Sequence, residues 1–239
     1  MNGHTLIILP SYNESDNIVN LIDHILSLSR DFSICVVDDS SPDGTADLLK
    51  SRMHTFGDRF HLIVRSKKDG RGGAVRDGLC WGVGRDRFDY YVEMDCDFSH
   101  HPDEILTGIT YLKKGYDVVL GSRYPNGTII GWPIHRRIFS ILANTFARAL
   151  ISRKIADYTN GFRFYNRASV KVIVESEQRN KGYIYLSEVL SHFLKLGFRI
   201  KSFPIVFKNR ERGSSNTSVK EIFSAFTGII GIARSHHRS

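Results

Sequence analysis

The sequence predicts an α/β domain organised on a mostly parallel sheet with helices on both faces. Three observations carry that prediction. Five short, β-rich apolar runs recur through the first 121 residues. They are nearly continuous in apolar character rather than alternating, as strands covered on both faces are. Polar loops and then segments of helical periodicity separate them, which is the order of right-handed βαβ units.

The runs are TLIIL (5–9), SICVV (33–37), FHLIV (60–64), YYVEM (90–94) and DVVLG (117–121). After the first, Ile18, Leu21, Ile22, Ile25 and Leu26 recur at helical spacing behind NESDN, whose Ser and Asp suit a helix N-terminus. DGTADLLKSRM, GGAVRDGLCWGV and PDEILTGITYLKK take the same place after the next three strands. Beyond residue 122 the rhythm changes. WPIHRRIFSILANTFARALI is long, basic and amphipathic, FRFYN reads as a strand, and SEVLSHFLKLG reads as a helix ending at Gly197. FRIKSFPIVFKNR is strand-like but interrupted by Pro204, which places it at an edge or bend. The tail puts Ile222, Phe223, Phe226, Ile229 and Ile230 on one helical face. One main domain is expected over residues 1–216, with 132–150 as a candidate membrane-interface segment and 217–239 as a C-terminal amphipathic helix and tail.

Composition narrows the class. In 239 residues, 41% are hydrophobic and 24% charged, which suits one globular core. No stretch approaches the ~20 continuous apolar residues of a spanning helix. The N-terminal MNGHTLIILPSYNE turns polar too quickly for a signal peptide, so a cytoplasmic location is expected. Cys35, Cys80 and Cys96 show no paired spacing, which argues against a disulfide framework or a zinc site. The balance of 33 Lys+Arg against 25 Asp+Glu, a net charge of +8, favours an anionic partner or simply a solvated basic surface.

In an open α/β sheet, ligands gather at the carboxyl ends of the strands. Three of those loops are acidic: PSYNE, DDSSPDG and DCD. None carries a dinucleotide-binding glycine fingerprint or a phosphate-binding P-loop, so those two common readings drop out. Asp95 and Asp97, one residue apart at a strand end, repel unless a proton, a cationic side chain or a metal neutralises them. The pair suits a hard divalent ion that shares its coordination with phosphate oxygens; a surface acidic pair or a helix N-cap is the alternative. His100 and His101 read as a solvent-facing pair ahead of the next helix.

With LPSYNESDNI, VVDDSSPDGTA, RSKKDGRGGAVRDG, EMDCDFSHHPDE, LGSRY, GWPIHRRIFSILAN, YTNGFRFY and FPIVFKNRERGSS in this order, the chain resembles glycosyltransferase family 2, in its dolichol-phosphate or polyprenol-phosphate mannose synthase branch. The resemblance implies a GT-A fold with a Rossmann-like nucleotide-sugar domain. It implies transfer of a hexose, mannose from GDP-mannose first among them, from a nucleotide-diphosphate sugar to a polyprenyl or dolichyl phosphate. It assigns donor binding to Pro10, Tyr12, Asn13, Glu14, Asp39, Lys68, Gly70 and Glu188. Asp95 and Asp97 become the Mg²⁺ or Mn²⁺ pair, and Arg123, Arg136 and Arg210 gather around the acceptor phosphate, with Arg137 and Arg212 as neighbours. Asp95, Asp97 and Arg123 are the expected catalytic residues. Arg71 departs from the family, which has leucine there, as do Ser202 and Asn216; Lys220 is a candidate to replace the charge missing at Asn216.

A lipid phosphate is already anionic at neutral pH, so it attacks without a general base. The basic segment then has a use: Ile134, Ile138, Ile141, Leu142 and Phe146 fit a headgroup boundary, with His135, Arg136, Arg137 and Arg148 towards lipid phosphates. A core-facing helix is the alternative. The expectation is a peripheral enzyme on the cytoplasmic face of a membrane, alone or with a separate membrane subunit. A UDP-sugar donor or a saccharide hydroxyl acceptor is the competing enzyme reading. Nucleic-acid binding leaves the acidic strand ends without a purpose.

Overall fold

A computed structural model of the chain describes residues 3–180, 182, 184–209 and 219–237. A seven-stranded sheet has the order β3-β2-β1-β4-β7-β5-β8. β1 (Thr5–Ser11) lies between β2 (Phe32–Asp38) and β4 (Tyr90–Glu93), parallel to both. β3 (Phe60–Val64) extends that side, and β5 (Val118–Ser122) pairs in parallel with β8 (Ile200–Pro204) at the far edge. β7 (Arg163–Asn166) runs antiparallel between β4 and β5. A second, two-stranded parallel sheet joins β6 (Thr128–Ile130) to β9 (Val206–Lys208).

The near-continuous apolar runs are explained by burial on both faces. In β1, Leu6 and Ile8 enter one core while Ile7 and Leu9 enter the other. The second core is closed by α1 (Ile18–Leu28), α2 (Thr45–Phe56) and α4 (Glu104–Lys113). The first is closed by α3 (Arg71–Val83), α5 (Ile134–Leu150), α6 (Arg167–Glu175), α7 (Ile184–Lys195) and α8 (Val219–His237). α3 lies close on the sheet because its inward face is partly glycine: a Cβ at Gly78 would stand 2.7 Å from Ile8 Cγ2.

The five predicted strands and the first four helices form where the periodicity puts them. Pro204 closes β8 at the sheet edge, and Gly197, at φ 73°, follows the end of α7. α6 and β6 go beyond the sequence reading. In α8, Ile229 is buried while Ile230 is exposed, so the two do not share a face; the side chains of Ile222, Phe223 and Phe226 lie outside the described ones. The described part of α8 packs Ile229, Ile232 and Ala233 into the first core.

α5 inverts the usual order of a surface helix. Its buried residues are Ser140, Ala143, Asn144 and Ala147. Ile134, Ile138, Ile141 and Leu142 are exposed, at 78%, 52%, 44% and 55%. Phe146 departs from the expected outward face and packs partly buried against the first core. Asn144 explains the buried side: its Oδ1 accepts from the Tyr158 amide at 2.7 Å and its Nδ2 donates to Thr159 Oγ1 at 3.1 Å, tying α5 to the segment entering β7.

Gly108 of α4 faces the buried Phe164 ring of β7 so closely that a Cβ would overlap it. Alanine gains about 1 kcal/mol of helix propensity, against an overpacking cost of about 1–3 kcal/mol. Gly108→Ala is therefore expected to lower the urea unfolding midpoint, although the same change at an exposed helical glycine would raise it.

Candidate active site

β4 delivers the acidic pair. Its last residue, Glu93, is fully buried and pairs in register with Arg163, the first residue of β7. Arg163 Nε stands 3.8 Å from Glu93 Oε1, and the Tyr165 hydroxyl donates to that oxygen at 3.1 Å. Arg163 also donates to the carbonyls of Asn160, Leu186 and Tyr158 at 3.0, 2.6 and 2.8 Å. On the other side of Glu93, Arg71 Nη1 lies 3.5 Å from Oε2. The same guanidinium donates from Nε to Asp95 Oδ1 at 2.9 Å and from Nη2 to the Gly161 carbonyl at 2.9 Å. A cationic side chain therefore neutralises Asp95.

The loop after β4 is tightly held. Phe98 adopts φ 57°, an unusual conformation for a bulky residue. Asp97 is 6% exposed, and its Oδ1 accepts from the Ser99 amide at 3.1 Å. His100, expected at the surface, is fully buried and stacked on Phe162; only His101 is exposed. The Asp95 amide donates to His100 Nδ1 at 3.3 Å, so Nε2 carries the proton that Asn160 Oδ1 accepts at 2.8 Å. Burial keeps the imidazole pKa below its ordinary value against the attraction of Asp95. Asn160 Nδ2 passes the network on to the Gly121 carbonyl at 2.6 Å. Asp97 and the exposed side of Asp95 are the residues able to hold a cation. Among the described residues no three His, Cys, Asp or Glu side chains gather into a ready cage, so such an ion needs oxygens from a ligand.

The ends of β1 and β2 adjoin this loop. Cys96 Sγ donates to the Pro10 carbonyl at 3.3 Å. Asn13 turns at φ 61° and Ser40 at φ 55°. The amides of Asn13 and Glu14 donate to Ser41 Oγ at 2.9 Å and Thr45 Oγ1 at 3.1 Å, locking the two loops together. Glu14 Oε2 accepts from Asn17 Nδ2 at 3.3 Å. Lys68 Nζ rests 3.6 Å from the centroid of the Tyr12 ring. Asp39 accepts from Arg65 Nη1 at 2.6 Å, and Arg65 also pairs with Asp77 at 2.9 Å and Asp69 at 3.6 Å. Burial disfavours the Arg65 charge, but these three carboxylates outweigh it and raise its pKa. Gly70, at φ 85°, makes the turn that places Arg71 at the head of α3.

The arginines sit differently from the sequence expectation. Arg123 is 6% exposed and grips Asp157 through Nε and Nη2, both at 2.8 Å. Its fork is thus engaged by a carboxylate rather than facing an open anion site. Arg136 lies 4.2 Å over Trp132, and the Arg123 guanidinium is 5.3 Å from the same ring. Arg136 also donates to Asn209 Oδ1 at 3.0 Å. Arg137 is exposed, and Arg210, Arg212 and Asn216 lie outside the described residues, as does the side chain of Lys220. Glu188 accepts the amides of Arg179 and Asn180 at 3.2 and 3.1 Å, holding the loop after α6. Asp157, Glu93, Arg65 and Arg163 go beyond the sequence reading; the arginine inside the apolar run FRFY was the one visible signal.

A Rossmann-like sheet whose parallel strands end in acidic loops, with a D-x-D pair at the end of β4, is the arrangement of the GT-A fold. The chain belongs to glycosyl transferase family 2, whose model matches residues 6–174. It is 37% identical over 222 residues to polyprenol monophosphomannose synthase of Mycolicibacterium smegmatis, covering 92% of this chain and 83% of that one. It is 33% identical over 214 residues to undecaprenyl-phosphate mannosyltransferase of Micrococcus luteus, covering 89% and 87%. Among solved structures, glucosyl-3-phosphoglycerate synthase of Mycobacterium tuberculosis, in complex with Mn²⁺, UDP-glucose and phosphoglyceric acid, superposes with a TM-score of 0.71. That match has 19% identity and covers 98% of this chain and 80% of the other. A complex of the same synthase with Mn²⁺, UDP and glucosyl-3-phosphoglycerate gives 0.68 at 18% identity, with the same coverage.

Removing Asp157 leaves Arg123 buried and unpaired, so Asp157→Ala is expected to cost about 3–5 kcal/mol in urea unfolding at neutral pH. Burial alone would raise the Asp157 carboxyl; Arg123 outweighs it and holds the pKa below the aspartate norm. A depressed folded pKa gives stability that is complete above about pH 4 and is lost as pH falls through the folded value. The gap between wild type and variant should accordingly narrow below about pH 4.

Proposed function

We propose that this enzyme transfers a hexosyl group, mannose from GDP-mannose, to a polyprenyl phosphate at a membrane surface, with inversion at the anomeric carbon. The observation that carries the reading is the D-x-D pair tied through His100, Asn160 and Thr159 to a helix whose Ile134, Ile138, Ile141 and Leu142 face outward. The names of the two mannosyl-transferring relatives support the same donor and acceptor classes.

The acceptor phosphate is anionic at neutral pH, its second pKa being near 6. One of its oxygens forms the new bond to the anomeric carbon, and the bond to the diphosphate breaks with its electron pair leaving on the diphosphate. No proton is abstracted, which fits the occupied carboxylates nearby: Glu93 between two arginines and Asp157 on Arg123. Asp97, with the exposed side of Asp95, would hold a divalent ion, which would supply Lewis-acid stabilisation of the leaving group. Asp39, held by Arg65, reads the nucleoside, and Lys68 moves from the Tyr12 ring to the diphosphate. Arg136 orients the acceptor phosphate, while Arg123 fixes Trp132 beneath it.

α5 supplies the membrane face. It carries three arginines, one histidine and no acidic residue. Its exposed Ile134, Ile138, Ile141 and Leu142 enter the headgroup boundary. No helix among the described residues is long and apolar enough to cross a membrane.

Transfer from radiolabelled GDP-mannose, with UDP-glucose in parallel, to a short polyprenyl phosphate tests the reading. Labelled lipid is expected with GDP-mannose and Mn²⁺ or Mg²⁺, and its disappearance with EDTA. Asp97→Asn should lower kcat about 10²-fold or more at an unchanged melting temperature, given several kcal/mol of metal stabilisation. Labelling from UDP-glucose alone would reassign the donor, and no lipid labelling from either would refute the acceptor. In flotation with anionic vesicles, Ile134→Asp with Ile138→Asp should release the protein into the soluble fraction; unchanged flotation would remove α5 from the interface.

A further inference from the structure

Arg71 stands between a structural carboxylate and a reactive one. Its side chain is 10% exposed, against 0% for Glu93 and 27% for Asp95, so the guanidinium sits where buried charge gives way to the open site. Nη1 faces Glu93, Nε donates to Asp95 Oδ1 and Nη2 donates to the Gly161 carbonyl. Three different groups fix its plane. Gly161 is part of the fit, since a Cβ there would overlap the guanidinium. Asp95 therefore has one oxygen committed to a permanent cation, while its neighbour Asp97 accepts from a backbone amide through Oδ1.

We infer that Arg71 is a positioning residue that makes metal uptake depend on the donor, by neutralising Asp95 so that the D-x-D pair holds a divalent ion only weakly until a nucleoside diphosphate adds its oxygens. The inference rests on the reading of Asp97 as the metal-bearing carboxylate. A permanent positive charge 2.9 Å from a carboxylate oxygen offsets the negative charge that would attract a second cation. A divalent ion competes for the same lone pairs and meets the same positive charge, so an effect of at least about tenfold on metal affinity is expected. Arginine keeps that charge at any working pH. The diphosphate adds negative charge and oxygen ligands together, which overcomes the repulsion and makes the ion and the donor bind as one unit.

The experiment is titration of Mn²⁺ alone, followed by electron paramagnetic resonance of the free ion, repeated with saturating GDP and with saturating UDP. Wild type is expected to bind Mn²⁺ at least about tenfold more tightly with its cognate diphosphate than without. Arg71→Leu should bind Mn²⁺ alone about tenfold more tightly than wild type, and Arg71→Lys should return the affinity to the wild-type value. A purely structural role for Arg71 predicts the opposite sign, because a distorted loop binds metal worse. Should Arg71→Leu not melt cooperatively, the polar but uncharged Arg71→Gln decides by the same titration, with the same tightening of nucleotide-free Mn²⁺ binding expected. Nucleotide-free Mn²⁺ affinity unchanged or weakened in a folded variant lacking the Arg71 charge would overturn the role of Arg71 and leave the metal reading intact. No uptake of Mn²⁺ by wild type with either diphosphate would overturn the metal reading and the inference with it.

Discussion

The site depends on one buried carboxylate. Glu93 has no exposed surface, yet it is flanked by the guanidinium groups of Arg71 and Arg163 and by the Tyr165 hydroxyl. A buried carboxylate left unpaired would be costly, and removing either arginine would impose part of that cost. The arrangement also carries geometry. Arg163 gathers three carbonyls of neighbouring segments, and Arg71 passes the same charge chain on to Asp95. The orientation of the reactive loop is thereby set from beneath, by ion pairs at the ends of two interior strands.

The fold was largely legible because its strands are covered on both faces. That burial leaves runs such as TLIIL and SICVV too apolar to be loops and too short to be helices. α6 escapes a reading of the sequence although RASVKVIVE is amphipathic at helical spacing behind the N-cap Asn166, because its β-branched residues read as a continuation of the strand before it. β6, with three residues, is below what periodicity can resolve. Glycine did not mark loops reliably either, since Gly78 and Gly82 sit inside α3 to bring it close to the sheet.

The candidate site was legible where chemistry is local and opaque where it is not. Asp95 and Asp97 stand out because both lie at a strand end within three residues. The partners of Arg123 and Arg71 are Asp157, Glu93 and Asp95, at sequence distances that leave no pattern. A planar guanidinium fits a phosphate and a carboxylate equally well, so an arginine in LGSRY does not announce which of the two it meets. His100 and His101 look alike in sequence, and only packing sends one under Phe162 and Phe207 while the other stays in solvent. The inverted helix α5 is a further case: its moment was visible, but which face is the inner one depends on Asn144 reaching the Tyr158 amide.

The reversed direction of β7 has a consequence for the order in which the enzyme comes into being. Strands β1 to β4 are all made before residue 94 and can associate as parallel neighbours while the chain is still being synthesised. At that stage Glu93 and Asp95 lack Arg163 and the Gly161 carbonyl that steadies Arg71, both of which arrive about seventy residues later. The nascent sheet thus carries an open edge at β4 and acid that only Arg71 offsets, where the finished one has β7 and the Arg163 charge as well. Insertion of β7 closes the edge and completes the charge chain in one event. The contacts that complete the sheet on this side and those that steady the reactive loop thus come from one segment, residues 160–166.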